Sequence, residues 1–181
     1  MIEMTGTDNS VRVRTEPPYR TSVSREANAV RDWTRHKEEP RFTDVTFVSR
    51  GKKVQISWPD PQSCLPKWFN AVGRGTADLL TLPSNWDSYG AEPIQLEVVR
   101  AALSFLSRHL EHDSHAPWIV PMSDGGIQLE WSHDDKEIEV VIAPEGEISA
   151  FWFDDTTDDE RELDISAETD VLKKYIALMN L

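Results

Sequence analysis

Apolar and polar residues alternate in two separate parts of the chain, and this alternation is typical of half-buried β-strands. In the first part, β-branched residues alternate with polar ones over Thr43–Ser49 and Val54–Trp58, on either side of a turn at Gly51. This pattern predicts a β-hairpin. The second part follows residue 116 and predicts an antiparallel meander with short turns. Its strand segments are 117–121, 127–131, 137–140 and 147–153.

Apolar residues recur at helical spacing in three further segments, at 65–82, 94–111 and 167–180. Ser166 is the candidate N-cap of the last segment. Gly73 and Gly75 each lower helix propensity by about 1 kcal/mol relative to Ala, which favours a break inside the first segment. The order of elements, a hairpin, two helices, a meander and a helix, predicts the α+β class. We expect an antiparallel β-sheet, made of the N-terminal hairpin and the C-terminal meander, packed against two to three helices.

Residues 1–40 contain few large apolar groups and many Thr, Ser, Pro and charged residues. A segment of this composition buries too little apolar surface to offset the entropy of ordering it. We therefore expect a flexible or partner-ordered tail over 1–40, in which a short helix over 24–36 is compatible with the sequence. Residues 41–181 are expected to form a single α+β domain, because their length suits one hydrophobic core.

Acidic residues dominate the last third of the chain. The formal net charge at pH 7 is −13, and residues 117–181 carry four basic and seventeen acidic residues. A field of this sign repels nucleic-acid phosphates and anionic lipids and attracts basic protein surfaces. We therefore expect a protein partner with a basic surface, such as a nucleic-acid-binding protein, with no direct nucleic-acid binding and no membrane association. Solubility is the alternative explanation of the same charge.

Apolar runs and cysteine usage narrow the class of protein further. No apolar run reaches the roughly 18 residues of a membrane span, and the N-terminus lacks the features of a signal peptide. We therefore expect a cytoplasmic location. Cys64 is the one cysteine of the chain, which excludes an internal disulfide and a zinc site built on several cysteines. A lone cysteine is more typical of a small buried apolar residue than of a nucleophile.

The meander defines two faces, because successive side chains of a strand point to opposite sides of the sheet. Ile127, Leu129 and Trp131 begin the apolar face, which is expected to meet the core. In the same register Glu130 lies opposite Glu139, a like-charge pair that lowers stability. The other face receives Gln128, Glu130, Glu137, Glu139, Glu147, Ser149, Phe151 and Phe153.

Carboxylates and aromatic side chains alternate on this second face, which suits a basic peptide or an arginine-rich surface through ion pairs and cation–π contacts. The alternative is a solvated face on which Phe151 and Phe153 are covered by the N-terminal hairpin or the last helix. Glu130 and Glu139 are also candidates for catalytic carboxylates or ligands of a hard metal ion. Nothing near them in the sequence supplies a nucleophile or a ligand motif.

Three histidines, His109, His112 and His115, follow one another at intervals of three residues. His109 and His112 are candidate zinc ligands, because this spacing places them on one helix face. The competing interpretation is a solvated helix end, where the helix dipole favours histidine. The sequence contains neither a metalloprotease HExxH motif nor a phosphate-binding loop, and we expect no cofactor. Residues 154–162 lack the ligand order of a calcium loop and are expected to form an acidic loop or partner surface.

A loop with two aromatic residues connects the first two predicted helices. Trp86 either fills the core between the helices or forms, with Tyr89, an exposed binding hot spot. Residues 85–94 read NWDSYGAEPI, and residues 124–131 read DGGIQLEW. Together these two motifs resemble a family of small uncharacterised bacterial proteins. The resemblance covers about residues 80–150 and implies a bacterial or phage origin, with no activity or catalytic residue attached.

These observations favour a non-enzymatic, acidic protein-binding module of a bacterial or phage system, such as an antitoxin, an immunity protein, an inhibitor or an accessory subunit. A specific form is nucleic-acid mimicry, in which carboxylates replace phosphates in a partner's basic groove. One alternative is a small enzyme that uses Glu130 and Glu139 or a histidine-based metal site. Another is a structural subunit whose tail orders against a neighbour, and the oligomeric state is left open. The candidate partner-binding residues are Glu130, Glu137, Glu139, Glu147, Phe151, Phe153, Trp86 and Tyr89.

Overall fold

The computed structural model describes residues 10–15, 42–59, 64–163, 165 and 169–179. In these residues the chain forms helices and two sheets, one of three strands and one of five. The predicted α+β class is confirmed. The elements are β1 (Ser10–Arg14), β2 (Phe42–Ser49), β3 (Lys52–Pro59), α1 (Phe69–Leu79), α2 (Leu96–His109), β4 (Trp118–Pro121), β5 (Ile127–His133), β6 (Lys136–Ile142), β7 (Ile148–Asp154), β8 (Asp159–Leu163) and α3 (Thr169–Leu178).

The three-stranded sheet has the order β1-β3-β2 and contains the predicted hairpin, β2 and β3. Arg50 and Gly51 connect these strands with φ angles of 46° and 76°, as a two-residue hairpin turn requires. Strand β1 pairs in parallel with β3 and buries Val13 beside Ile56. These residues form a strand where a tail was expected, because Val11 and Val13 give the segment one apolar side. The remaining residues of 1–40, with the helix predicted over 24–36, lie outside the described residues.

The five-stranded sheet is an antiparallel meander in the order β4-β5-β6-β7-β8. Its register places Glu130 opposite Glu139, as the alternation predicted. Residues 154–162 were expected to form an acidic loop or a partner surface, and the loop is a correction, because Asp159–Leu163 form strand β8. Residues 159–163 pair along β7 and bury Leu163, while the charged side chains of the strand stay exposed. A short, charged edge strand of this kind resists pairing with further strands.

Helix α1 lies between the two sheets. Gly73 faces the ring of Phe47 on β2, whereas Gly75 faces Ile119 on β4. Two residues correspond to about 200° of rotation around a helix, so the sheets lie on opposite sides of α1. The predicted break at these glycines is wrong, since α1 is continuous from Phe69 to Leu79. The missing Cβ atoms let both sheets approach the helix closely, and this packing outweighs the low helix propensity of glycine.

One hydrophobic core joins both sheets and the helices α1, α2 and α3 of the described residues. Helix α2 contacts β1 of one sheet and β5 and β6 of the other. Helix α3 covers the inner side of the five-stranded sheet, where Tyr175 stacks on Trp152 at a ring distance of 4.1 Å. The N-cap predicted at Ser166 lies outside the described residues. Within the described part of the chain, no helix has the length and apolar character needed to cross a bilayer.

Candidate functional site

The outer side of the five-stranded sheet carries most of the predicted partner-binding residues, and we call it the carboxylate–aromatic face. Cross-strand pairing arranges its side chains in three rows. The central row contains Trp118, Glu130, Glu139, Phe151 and Glu162. One flanking row contains Ser132, Glu137, Phe153 and Glu160, and the other Val120, Gln128, Val141 and Ser149.

Negative charge on this face has no cation beside it among the described strand residues, since none of the three rows contains Lys or Arg. Burial raises the pKa of Glu139 above its ordinary value, and the neighbouring carboxylates of Glu137 and Glu130 raise it further. A side-chain hydrogen bond from Gln128 lowers the pKa of Glu139 in part. The Gln128 amide also donates a hydrogen bond of 3.1 Å to Glu130. Lys136 forms an ion pair with Asp154 at 3.6 Å, but both residues alternate with the outward Glu137 and Phe153 and therefore belong to the inner side of the sheet. The described strand residues of this face therefore carry an unbalanced negative charge.

Aromatic side chains lie between these carboxylates. The side chain of Trp118 is 74% exposed at the start of the central row. Phe151 and Phe153 are half-buried. Neither the hairpin nor α3 covers them, because the hairpin belongs to the other sheet and α3 lies on the inner side. Apolar ring surface and carboxylates are thus presented together on one broad sheet face.

Glu147 immediately precedes β7 and is exposed, in line with the outward alternation of that strand. Trp86 and Tyr89 are not on the face, because they lie in the loop between α1 and α2. The N–H of Glu92 in this loop donates to the carbonyl of Ser123, which ties the loop to the turn between β4 and β5. The structure therefore separates the predicted partner-binding residues into a sheet face and a loop.

The α1–α2 loop has a tightly determined backbone. Asn85, Ser88 and Gly90 all have positive φ angles. The Asp87 carboxylate accepts hydrogen bonds from the N–H groups of Tyr89 and Ala91 at 2.8 and 3.1 Å. The bond from Tyr89 is the largest cause that lowers the pKa of Asp87. These bonds hold the loop in a conformation that leaves Tyr89 94% exposed.

Trp86 was predicted either to fill the core or to form an exposed hot spot, and the structure places it between these two descriptions. Its side chain is half-buried, so it contributes to packing without being a full core residue. Its indole N–H is buried and has no hydrogen-bond partner in the described part of the chain. An unpaired buried donor of this kind costs roughly 1–3 kcal/mol.

The candidate zinc ligands have different surroundings. His109 is buried at the end of α2, where Nδ1–H donates to the carbonyl of Phe105 at 2.8 Å and the two rings stack. The prediction of a solvated helix end is therefore wrong for His109, although His112 is exposed. Burial is the main cause that lowers the pKa of His109. Across the described residues, no group of three or more His, Cys, Asp or Glu side chains could hold a metal ion.

Cys64 is exposed, so the prediction of a buried cysteine is wrong. Its Sγ lies 3.2 Å from Nε2 of His112, a residue 48 positions later in the chain. Two further hydrogen bonds hold these segments together, from Lys67 N–H to the carbonyl of His112 and from the Trp68 indole to the carbonyl of Glu111. Sequence spacing contains no signal for this pairing, which depends on contacts between the segment just before α1 and the segment just after α2.

Sequence reasoning missed three acidic or aromatic residues of the carboxylate–aromatic face, Trp118, Glu160 and Glu162. Trp118 lay in a predicted strand, and extending the register by one strand would have placed it beside Glu130. Glu160 and Glu162 lie on β8, and this strand could not be predicted because its sequence, Asp-Glu-Arg-Glu-Leu, has almost no apolar alternation.

The fold and the face define an α+β protein with a helical layer between two sheets and an acidic, aromatic surface on the larger sheet. Comparison with models of known families, with curated proteins and with solved structures finds no match for the chain. The resemblance of the two motifs to small bacterial proteins remains a prediction.

Proposed function

We propose that the chain is a non-enzymatic protein-binding module whose carboxylate–aromatic face engages a basic surface of a partner protein. The observation that carries this proposal is the composition of that face. Five glutamates and three aromatic residues share it, and its described strand residues include no Lys or Arg. An antitoxin, an immunity protein, an inhibitor or an accessory subunit of a bacterial or phage system would use such a surface.

Arginine is the side chain that suits this face best. Its guanidinium group forms paired hydrogen bonds with a carboxylate and also stacks on aromatic rings. The same contact occurs within this protein, where the guanidinium of Arg14 lies 3.9 Å from the ring centre of Phe42. An arginine between Glu130 and Glu139 would also remove the repulsion between these two carboxylates. Partner binding would thereby relieve a cost that the free protein carries.

The test measures binding of a peptide of ten residues that contains six arginines, at about 50 mM salt, by fluorescence anisotropy. Glu130→Lys/Glu139→Lys is expected to weaken binding at least tenfold, which corresponds to about 1.4 kcal/mol. The matched control is Glu111→Lys/Asp113→Lys, which changes the net charge equally at exposed residues after α2. This control is expected to change the affinity less than threefold.

Equal weakening by both double variants would show that the peptide senses only net charge, and the proposed site would then be wrong. A third variant, Trp118→Ser, separates the aromatic contribution from the charge, because it leaves every carboxylate in place. We expect it to weaken binding of the arginine peptide more than binding of a lysine peptide of equal charge, since arginine stacks on rings more often than lysine does.

A further inference from the structure

The outer side of the three-stranded sheet has the opposite charge, and we call it the basic face. Arg12 and Arg14 on β1 and Lys53 on β3 are exposed there. Among the described strand residues on this side, Asp44 is the one acidic group, and it accepts a hydrogen bond of 2.6 Å from Ser57. The hairpin turn adds further exposed cations at its tip, Arg50 and Lys52.

The basic face and the carboxylate–aromatic face point away from each other. Both sheets pack their inner sides on the helical layer, and the contacts of Gly73 and Gly75 place them on opposite sides of α1. The described strands therefore present opposite charges on two opposite sides of the molecule, although the net charge of the chain is −13. Two copies in the same orientation would bring a basic face against a carboxylate–aromatic face.

We infer that the basic face of one copy docks on the carboxylate–aromatic face of a second copy. This inference rests on the binding role proposed above and names the partner as the chain itself. Arg12 and Arg14 would lie between carboxylates and beside rings, in the manner that Arg14 already shows against Phe42. The contact uses different surfaces on the two copies, so each added copy leaves one face of each kind free and the assembly grows head to tail.

The net charge of each copy is repulsive, whereas the charges of the two docked faces attract, and this combination predicts an unusual salt dependence of association. At very low ionic strength, the net negative charge of each copy repels the other over long distances. At about 0.1 M salt the screening length is roughly 10 Å, so distant charges are screened while charges in direct contact still attract. Association is therefore expected to be strongest near 0.1 M salt and to weaken both at 0.01 M and at 1 M.

The experiment is sedimentation velocity on the full chain from 10 to 300 μM at these three salt concentrations. The wild-type protein is expected to show a mass that increases with concentration at 0.1 M salt. Arg12→Gln/Arg14→Gln and Glu130→Gln/Glu139→Gln are each expected to lower the association constant at least tenfold. The matched control, Arg108→Gln/Lys174→Gln, removes two exposed cations from the helices and should change it less than threefold.

An equal mixture of the two face variants gives the sharpest outcome. One variant retains the carboxylate–aromatic face and the other retains the basic face, so the mixture is expected to form dimers and nothing larger. A mixture that remains monomeric, or a wild-type protein that remains monomeric at 300 μM, would overturn the inference. If the arginine peptide still binds and Glu130→Lys/Glu139→Lys still weakens that binding, the proposed function stands without self-association.

A single-stranded oligonucleotide is the other ligand that a basic face with an aromatic residue could take. Binding of a labelled 15-nucleotide strand that is lost in Arg12→Gln/Arg14→Gln, together with a monomeric wild-type protein, would assign the basic face to nucleic acid and overturn the inference. We expect no such binding at 0.1 M salt, because the net charge of −13 repels phosphates.

Discussion

Gly73 offers a test of the close contact between α1 and the three-stranded sheet. A Cβ atom at Gly73 would overlap Cζ and Cε2 of Phe47 and lie 3.0 Å from Cε1. Carbon atoms normally rest about 3.5–4.0 Å apart, so the ring or the helix must move by about 1 Å or more. Phe47 is buried and its ring lies 6.1 Å from that of Phe69, which limits its room to move. Gly73→Ala therefore strains the layer between the sheets.

Helix propensity and overpacking have opposite effects on the free energy of unfolding of Gly73→Ala. Replacing a helical glycine with alanine stabilises the helix by about 1 kcal/mol. Overpacking a buried contact costs about 1–3 kcal/mol, and the overlap at Phe47 places Gly73→Ala in the upper part of that range. We expect a net loss of about 1–2 kcal/mol in the free energy of unfolding, measured by urea denaturation. Gly75→Ala, whose Cβ would lie 3.2 Å from Ile119 Cδ1, should be close to neutral.

The sign of the effect should depend on residue 47. In a Phe47→Leu background the overlapping ring atoms are gone, so Gly73→Ala should stabilise the protein by about 1 kcal/mol through helix propensity alone. The double-mutant cycle then gives a coupling energy of about 2–3 kcal/mol between residues 47 and 73. If Gly73→Ala stabilises the wild-type protein, or costs the same in both backgrounds, the close contact does not control the packing of this layer.

Three further predictions concern individual groups. The pKa of Glu139 lies above its ordinary value of 4.5, so ionisation of this carboxylate lowers the free energy of unfolding. This loss of stability is absent below pH 4.5 and grows as the pH rises through the folded-state pKa. Glu139→Gln should therefore raise the melting temperature at pH 7, whereas Glu147→Gln should not. The pKa of His109 lies below 6.5, so the stability contributed by its neutral imidazole is fully present above pH 6.5 and is lost as the pH falls through the lower folded-state pKa. Urea denaturation at pH 7.5 and 5.5 should therefore show a larger loss in the free energy of unfolding for the wild type than for His109→Asn. Gly90 has a φ of 99° and nothing within 4 Å of an added Cβ, so Gly90→Ala should cost about 1 kcal/mol through backbone strain alone, and an unchanged urea midpoint would contradict this.

Local periodicity predicted most of the fold. The hairpin, the second helix and the register of the central meander follow from alternation and helical spacing, because each of these elements buries one side against the core. Strand β1 was missed because its two valines are too few to indicate a strand until β3 pairs with them. Strand β8 was missed for a related reason, since Leu163 is its one fully buried side chain.

In the candidate site, too, local periodicity predicted some residues, whereas others depend on tertiary packing. Glu130, Glu137 and Glu139 could be placed on one face from the two-residue period of a strand. The burial of His109 and the contact between Cys64 and His112 depend on how α2 packs against neighbouring elements, and no local pattern encodes that packing. The placement of the basic face and the carboxylate–aromatic face on opposite sides of α1 also could not be predicted. It depends on Gly73 and Gly75, which helix propensity alone identifies only as unfavourable residues in a helix.

The parallel pairing of β1 with β3 has a consequence for the order in which the protein assembles. Neighbouring strands of the meander are joined by short turns, so their contacts form between residues close in sequence. Strand β1 instead pairs with residues about 40 positions later, and closing a loop of that length costs on the order of 3 kcal/mol in chain entropy. Strand β1 should therefore join the sheet late during folding and be among the first elements to detach, which hydrogen exchange of its amides would detect. Each local opening would remove Arg12 and Arg14 from the basic face while leaving the larger sheet intact, so the basic face would persist for shorter times than the carboxylate–aromatic face.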